Sequence, residues 1–259
     1  MAVTRSLSSI SVAPVRGFRL EHSAEVALTE VGVVENRRFF LVDGEGRRLR
    51  SSLTAWPVAV RGHYDADNER LLVRFPDGTE VEGSAVASGA EVVCDFGERT
   101  VRARIVEGEW SEGLSRLAGH PVEIARPDRP GECFAELGPV TLLSEASVGR
   151  LSREAGTAVD GRRFRMLLTL AGCEEHEEDT WDRRLLRVGD AALRVGGPVD
   201  RCAVTTRDPD TGERDLDTFR LIKRYRGLRD GQHVDFGVYA RVERPGVVCI
   251  GDPVELLEG

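Results

Sequence analysis

At 259 residues, with 41% hydrophobic and 31% charged residues, the chain has enough apolar surface for a core and a well-solvated exterior, which excludes a disordered polypeptide. The formal net charge of -8 opposes a phosphate backbone and argues against a nucleic-acid partner, although a small anion could still enter a locally basic pocket. The five cysteines (Cys94, Cys133, Cys173, Cys202, Cys249) are odd in number and scattered, which fits neither a disulfide framework nor paired zinc knuckles.

No apolar stretch of signal-peptide or membrane-spanning length opens the chain, so a cytoplasmic location without membrane contact is expected. The first hundred residues read as short strands broken by turns. Phe39 to Val42 runs into Asp43-Gly44-Glu45-Gly46, and Leu71 to Phe75 runs into Pro76-Asp77-Gly78 before Thr79 to Val81, both as β-hairpins in which Asp-Gly supplies positive φ. Leu114, Leu117 and Ala118 then share a helical face, with Ser111 as N-cap and Gly119 and Pro121 as stops. The breaker-rich stretch Arg126 to Gly131 has linker chemistry and places a domain boundary between residues 126 and 127.

Beyond it, Val140 to Leu143 reads as a strand, followed by a helix capped by Ser144 and reaching Leu151. Phe164 to Leu170, Leu185 to Val188, Ala191 to Val195 and Cys202 to Thr206 read as further strands of a meandering sheet or barrel. Leu216, Phe219, Ile222 and Tyr225 mark one late helix ended by Gly227, and Val247 to Ile250 and Val254 to Leu257 close the chain as strands.

The densest candidate for chemistry is the run Pro198 to Glu213. A thiol beside a guanidinium, Cys202 after Arg201, is favoured as thiolate, the form that attacks electrophiles or ligates soft metals. An isolated Arg-Cys pair is most often structural, and the flanking residues change that balance. Cys173-Glu174-Glu175-His176 has a metal-like spacing, but it lies in an acidic run with no further ligands at zinc spacing, and a solvated loop is the better reading. His120 beside Pro121 fits a helix end, and Cys94, Cys133 and Cys249 have no partner motif.

The segment Arg201-Cys202-Ala203-Val204-Thr205-Thr206-Arg207-Asp208-Pro209-Asp210-Thr211-Gly212-Glu213 resembles the signature of the MOSC domain, the molybdenum cofactor sulfurase C-terminal domain. Glu178-Asp179-Thr180-Trp181, Phe236-Gly237-Val238-Tyr239 and Gly251-Asp252-Pro253-Val254 follow the same family order. Ala13 to Gly17 and Asn36 to Asp43 resemble motifs of the β-barrel domain that precedes MOSC in amidoxime-reducing and related bacterial proteins. The resemblance implies a mainly β fold with a few short helices, an N-terminal β-barrel domain over residues 1–126 and a MOSC domain over residues 127–259. It also implies a molybdenum cofactor (molybdopterin) ligated by Cys202, with Arg16, Arg37, Ser144, Ser147, Arg165 and Arg201 cradling it, guanidinium groups being suited to phosphate.

The implied activity is reduction of N-hydroxylated or N-oxide small molecules, with Cys202 and Arg201 at the reacting centre and a separate electron-donor protein, because no ferredoxin-type cysteine cluster follows. Three segments depart from the family pattern. Gly17 stands where a serine is usual, Met166 and Leu167 replace a Pro-Asn pair, and the arginine usual near Ser52 is absent, with Arg50 the nearest substitute. These departures motivate an alternative, a cofactor-independent sulfur-transfer or covalent-cysteine enzyme with Cys202 as persulfide carrier or nucleophile. A third reading is a binding module that recognises a phosphorylated small molecule through Arg16, Arg37 and Arg165.

Overall fold

The computed structural model describes residues 4–50, 54–97, 99–134 and 137–257. The chain opens with β1 (Ser6–Val12), β2 (Glu21–Ser23), β3 (Glu25–Leu28), β4 (Phe40–Asp43) and β5 (Arg61–Asp65). It continues with β6 (Arg70–Arg74), β7 (Glu80–Ser84), β8 (Glu91–Asp95), β9 (Thr100–Val106), α1 (Trp110–Ala118) and β10 (Val122–Pro127). Then come β11 (Val140–Ser144), α2 (Glu145–Ala155), β12 (Leu168–Ala171), β13 (Leu185–Val188) and β14 (Ala191–Asp200). Last are α3 (Thr218–Arg226), β15 (Asp235–Arg244), β16 (Gly246–Cys249) and β17 (Val254–Leu257). The fold is mainly β with a few helices, as the sequence led one to expect.

Eight strands form the main sheet, in the order β17-β13-β14-β15-β11-β12-β1-β2. Within it β11 and β12 run parallel, Leu142 opposite Leu168, and a parallel pair requires a crossover, which α2 supplies. The N-terminal β1 lies antiparallel on the other side of β12, Ile10 opposite Leu168, so Leu7 and Ile10 join the core of Leu142, Trp181 and Leu193. Likewise β3 pairs with β16, Val26 opposite Val248. The first three strands are therefore packed with the C-terminal half.

Residues 40–127 build a four-stranded sheet, β4-β10-β9-β8, and a three-stranded sheet, β5-β6-β7, around a second core with Phe39, Tyr64, Leu71, Trp110 and Leu114. The Asp77-Gly78 hairpin forms as read, with Arg74 opposite Glu80 and Gly78 at φ 88°. Helix α1 starts one residue before Ser111, with Glu109 in the cap position. The fully buried Trp110 ring anchors this start, packed so tightly that a Cβ on Gly108 would lie 2.4 Å from it. Arg126 and Pro127, read as linker, end β10 opposite Arg104 and Ala103, and a proline is tolerated at a strand end where no ladder N–H is needed.

Two expected strands fold differently. Within Phe164 to Leu170 the chain first makes a 3-10 turn (Gly161–Phe164), passes through left-handed Arg165 at φ 51°, and enters a strand only at Leu168. Cys202 to Thr206 is also a 3-10 turn, over Ala203–Thr206. There the Thr205 hydroxyl donates to the Cys202 carbonyl at 3.2 Å and the Thr206 hydroxyl to the Ala203 carbonyl at 2.7 Å. Such local side-chain bonds offer the backbone an alternative to a ladder.

Candidate functional site

A cavity of about 300 Å³ opens where the turn after β1, the loops flanking β4, the approach to β12 and the end of β14 converge. Arg16, Arg37, Arg48, Arg50, Arg165, Arg201 and Cys202 all line it, and Asp200 is the single carboxylate on its wall. The two N-terminal motifs are brought together by backbone bonds: the Arg16 N–H donates to Phe39 O at 2.8 Å and the Arg37 N–H to Ala13 O at 2.8 Å. Gly17 sits at φ 103°, a region that glycine alone enters freely, so the backbone itself favours glycine over serine there.

Arg37 and Arg165 both hold left-handed backbone, at φ 52° and 51°, which costs a non-glycine residue ~1–2 kcal/mol. Strain of this kind persists where surrounding contacts fix it and concentrates at functional sites. The Arg37 guanidinium donates to Arg165 O at 3.0 Å, and the Arg165 guanidinium donates to Phe18 O at 2.6 Å. Arg16 donates to Cys133 O at 2.7 Å. These acceptors are neutral, and among the described residues none of Arg16, Arg37, Arg48, Arg165 and Arg201 forms an ion pair with a carboxylate.

Burial accordingly lowers the guanidinium of Arg165 to about 9, helped by repulsion from Arg37 and Arg16. Burial likewise lowers Arg37 to about 10, with Arg16 adding to it. Arg48 is displaced downward for the same reason, with Arg16 and Arg50 contributing. Although Arg37 and Arg165 keep an open edge toward the cavity, they sit deep in the molecule, and near neutral pH they stay charged. The shifts therefore express desolvation first, with mutual repulsion of the guanidinium groups adding to it.

Arg201 has a different place from the one expected. Its Nε donates to Phe236 O at 2.7 Å, one terminal nitrogen to Phe164 O at 2.9 Å and the other to Met166 Sδ at 2.9 Å. It stacks over Phe164, 5.3 Å from the ring centroid. With most donors engaged, Arg201 clamps the cavity wall, and burial lowers it to about 10. Gly237 makes the clamp possible: at φ 77°, a Cβ would stand 2.7 Å from both Leu142 O and Met166 Cε and 3.3 Å from the Arg201 guanidinium. Cys202, next in sequence, is exposed and faces the cavity.

Ser144 and Ser147 do not reach the cavity. Ser144 caps α2, accepting from the Ser147 N–H at 3.0 Å, and the Ser147 hydroxyl donates to Glu178 Oε1 at 2.7 Å. Both serines are fully buried and serve the helix start. The Glu178 to Trp181 element supports that network rather than the site. The rear of the signature is also structural: Asp208 Oδ1 accepts from the N–H groups of Asp210 and Thr211, while Asp210 and Asp215 pair with Arg162 and Arg163. Arg163 is buried in that pair.

Of the departures, Leu167 packs in the main core and Met166 forms the wall on which Arg201 rests. Ser52 lies outside the described residues, and Arg50 does line the cavity. Sequence reasoning missed Arg48, Thr141 and Tyr239. For Arg48 the signal was present, since Arg48 and Arg50 alternate on the strand-like return from the Asp43 turn. Thr141 and Tyr239 are opposed across β11 and β15, a pairing that needs the fold to be seen.

The donor set suits an anionic, phosphate-bearing group with a soft metal. Half-buried guanidinium groups of Arg16, Arg37, Arg48 and Arg165 lack carboxylate partners among the described residues, and an exposed thiol faces the same space. Among the described residues no three His, Cys, Asp or Glu side chains converge as a metal site, and no helix is long and apolar enough to cross a membrane. His176 of the Cys173-Glu174-Glu175-His176 run instead accepts from Arg226 at 2.7 Å.

Residues 133–255 match the family model of the MOSC domain. The chain carries a MOSC domain. Arg201, Cys202, Val204 and Thr205 of the resembling segment, with Thr141, Arg165, Met166 and Tyr239, line the cavity from within the matched residues, while Arg16, Arg37, Arg48 and Arg50 come from outside them. The chain is 34% identical over 146 residues to mitochondrial amidoxime-reducing component 1 of Homo sapiens, covering 53% of this chain and 43% of the human protein. It is 24% identical to the Xenopus laevis protein of the same name, over 96% of this chain and 81% of that one. The match therefore spans under half the length of the human relative. The crystal structure of the YUAD protein from Bacillus subtilis aligns over 98% of this chain and 95% of its own, with 11% identity and a TM-score of 0.47.

Proposed function

We propose that the cavity holds a molybdenum cofactor and that the protein reduces N-hydroxylated or N-oxide small molecules. The observation that carries this reading is the set of half-buried guanidinium groups, without carboxylate partners among the described residues, that face the same cavity as the exposed Cys202 thiol. Arg16, Arg37, Arg48 and Arg165 would hold the phosphate and other oxygens of the cofactor, since charge-assisted bonds to phosphate are the natural use of such groups. Cys202 would supply the metal ligand, a thiolate being suited to a soft metal. When bound, the cofactor supplies the oxygen-accepting, two-electron chemistry that no side chain offers.

The chain's own part is orientation and electrostatics. Arg201, bonded to Phe236 O and Phe164 O, fixes the backbone immediately before Cys202 and hence the direction of the thiol. Val199, Met166 and Phe164 form an apolar wall that limits water on one side, and the guanidinium groups lie ready to balance negative charge. Electrons would come from a separate redox protein.

The test is metal and pterin analysis of protein made in a cofactor-competent host. Wild-type protein is expected to carry molybdenum and pterin in stoichiometric amounts, and Cys202→Ser to lose the metal while keeping its circular-dichroism spectrum. Metal-free wild-type protein bearing a persulfide or other adduct on Cys202 would overturn the proposal in favour of cofactor-independent cysteine chemistry.

A further inference from the structure

We propose that an acidic electron-carrier protein docks on the cationic face of α3 and the groove beside it. This rests on the reading of the cavity as a reductase centre and adds where its reductant arrives. The turn Ala203–Thr206 is a shared wall. Val204 and Thr205 face the cavity, while Ala203 and Thr206 line a second groove of about 440 Å³ together with Leu216 and Phe219. The Cys202 carbonyl accepts from the Thr205 hydroxyl at 3.2 Å, and that hydroxyl lies 2.8 Å from the hydroxyl of Thr218, the first residue of α3. One hydrogen-bonded side chain thus connects the residue beside the proposed metal to the docking helix.

The charge pattern selects the partner. Carboxylates at the groove are already engaged: Asp215 accepts from Arg163 at 2.6 Å, and Asp217 accepts from the Arg220 N–H at 2.9 Å as the cap of α3. Among the described residues, the side chains of Arg214, Arg220 and Lys223 form no ion pair with a carboxylate, whereas Arg224 and Arg226 are paired with Glu154 and Asp179. Arg220 and Lys223 are three residues apart and share a helix face. In a chain of net charge -8 this is a local reversal of sign. A few cations around the apolar Leu216 and Phe219 match a compact acidic patch on a protein, whereas a membrane or nucleic acid engages longer basic arrays.

Reduction of an N-hydroxylated base breaks the N–O bond, takes up two electrons and two protons, and releases the amine-type product and water. The carrier is oxidised, and the protons come from solvent. A one-electron iron–sulfur or flavin carrier must therefore visit repeatedly. Rim charges serve such encounters by raising the association rate.

Lys223 is the single lysine of the sequence, so carbodiimide coupling to an acidic protein has one side-chain target. The full chain is incubated at low salt with a plant-type ferredoxin, and separately with a flavodoxin, then coupled and mapped by mass spectrometry. An amide on Lys223 that disappears at high salt is expected with at least one carrier. The pair Arg220→Glu with Lys223→Glu should weaken that binding by about tenfold or more at low ionic strength, while Lys223→Arg keeps the affinity and loses the cross-link. Turnover driven by dithionite should be unchanged in both variants.

Coupling confined to the N-terminal amine, absence of coupling to both carriers, or charge-reversed protein binding as well as wild type would overturn the docking site. So would preferential binding to vesicles of phosphatidylcholine and phosphatidylglycerol. Molybdenum content reports on the reductase reading separately, because docking is measured without turnover.

Discussion

Arg165 combines two unfavourable features, a left-handed backbone at φ 51° and a half-buried charge whose one hydrogen-bond acceptor among the described residues is the Phe18 carbonyl. Such a residue weakens the empty protein and strengthens it when an anion is present, because the ligand supplies the missing counter-charge. Arg165→Gln is therefore expected to leave the cofactor-free protein no less stable than wild type. Its protection by inorganic phosphate should fall sharply. For wild type, phosphate at a hundredfold excess over Kd adds ~2.7 kcal/mol, and losing one charge-assisted contact of ~1.5–3 kcal/mol weakens binding roughly tenfold to a hundredfold. Thermal unfolding with phosphate or chloride at matched ionic strength reads both effects. Equal protection of variant and wild type would show that the cluster is not an anion site.

At the scale of elements, His176 carries the clearest pH dependence. It stands at the entrance of the 3-10 turn Glu177–Trp181, where its Nδ1 accepts from Arg226 at 2.7 Å and its Nε2 faces the Tyr225 hydroxyl at 3.2 Å. Burial first, then Arg226, lowers the ring from 6.5 to about 4. The folded state thus disfavours the proton: the contribution to stability is complete above pH 6.5 and is lost as pH falls toward 4. Its upper bound is ~3 kcal/mol, which solvent screening of a half-buried ring reduces. His176→Asn, which tolerates the left-handed backbone, should flatten the acid limb of a stability-versus-pH curve across that window. An unchanged limb would assign the acid sensitivity to other groups.

Legibility from sequence divides along the same line of locality. The Asp77-Gly78 turn, the Ser144 cap, and the stops of α1 and α3 at Gly119 and Gly227 depend on neighbours within four residues and were readable. The thiol and most of the cavity's arginines were readable through family motifs. What could not be read depends on distant partners or on positive φ. Arg165 looked like a strand residue until its left-handed backbone was seen, Ser144 and Ser147 looked like ligands until Glu178 claimed them, and Arg201 looked like a ligand-facing cation until Phe236 O and Phe164 O took its donors.

At the scale of the whole molecule, the N-terminal strands belong to the core of the C-terminal half. Leu7, Ile10, Leu28 and Val33 are buried in the same cluster as Leu142, Leu193 and Val248. At ~1.5–3 kcal/mol for each large side chain, their loss is comparable with the entire net stability of a domain, ~5–15 kcal/mol. Removing β1 also strips β12 of its antiparallel partner and leaves an apolar strand with an unpaired edge. A segment of residues 127–259 expressed alone is therefore expected to aggregate or to lack near-ultraviolet circular dichroism. Co-expression with residues 4–34 should restore a soluble, cooperatively unfolding complex, but not the guanidinium cluster, because Arg37, Arg48 and Arg50 lie beyond that fragment. Such a complex should gain no stability from phosphate. If residues 127–259 instead fold alone with a sharp thermal transition, β1 is an accessory to the sheet and the two halves are separable units.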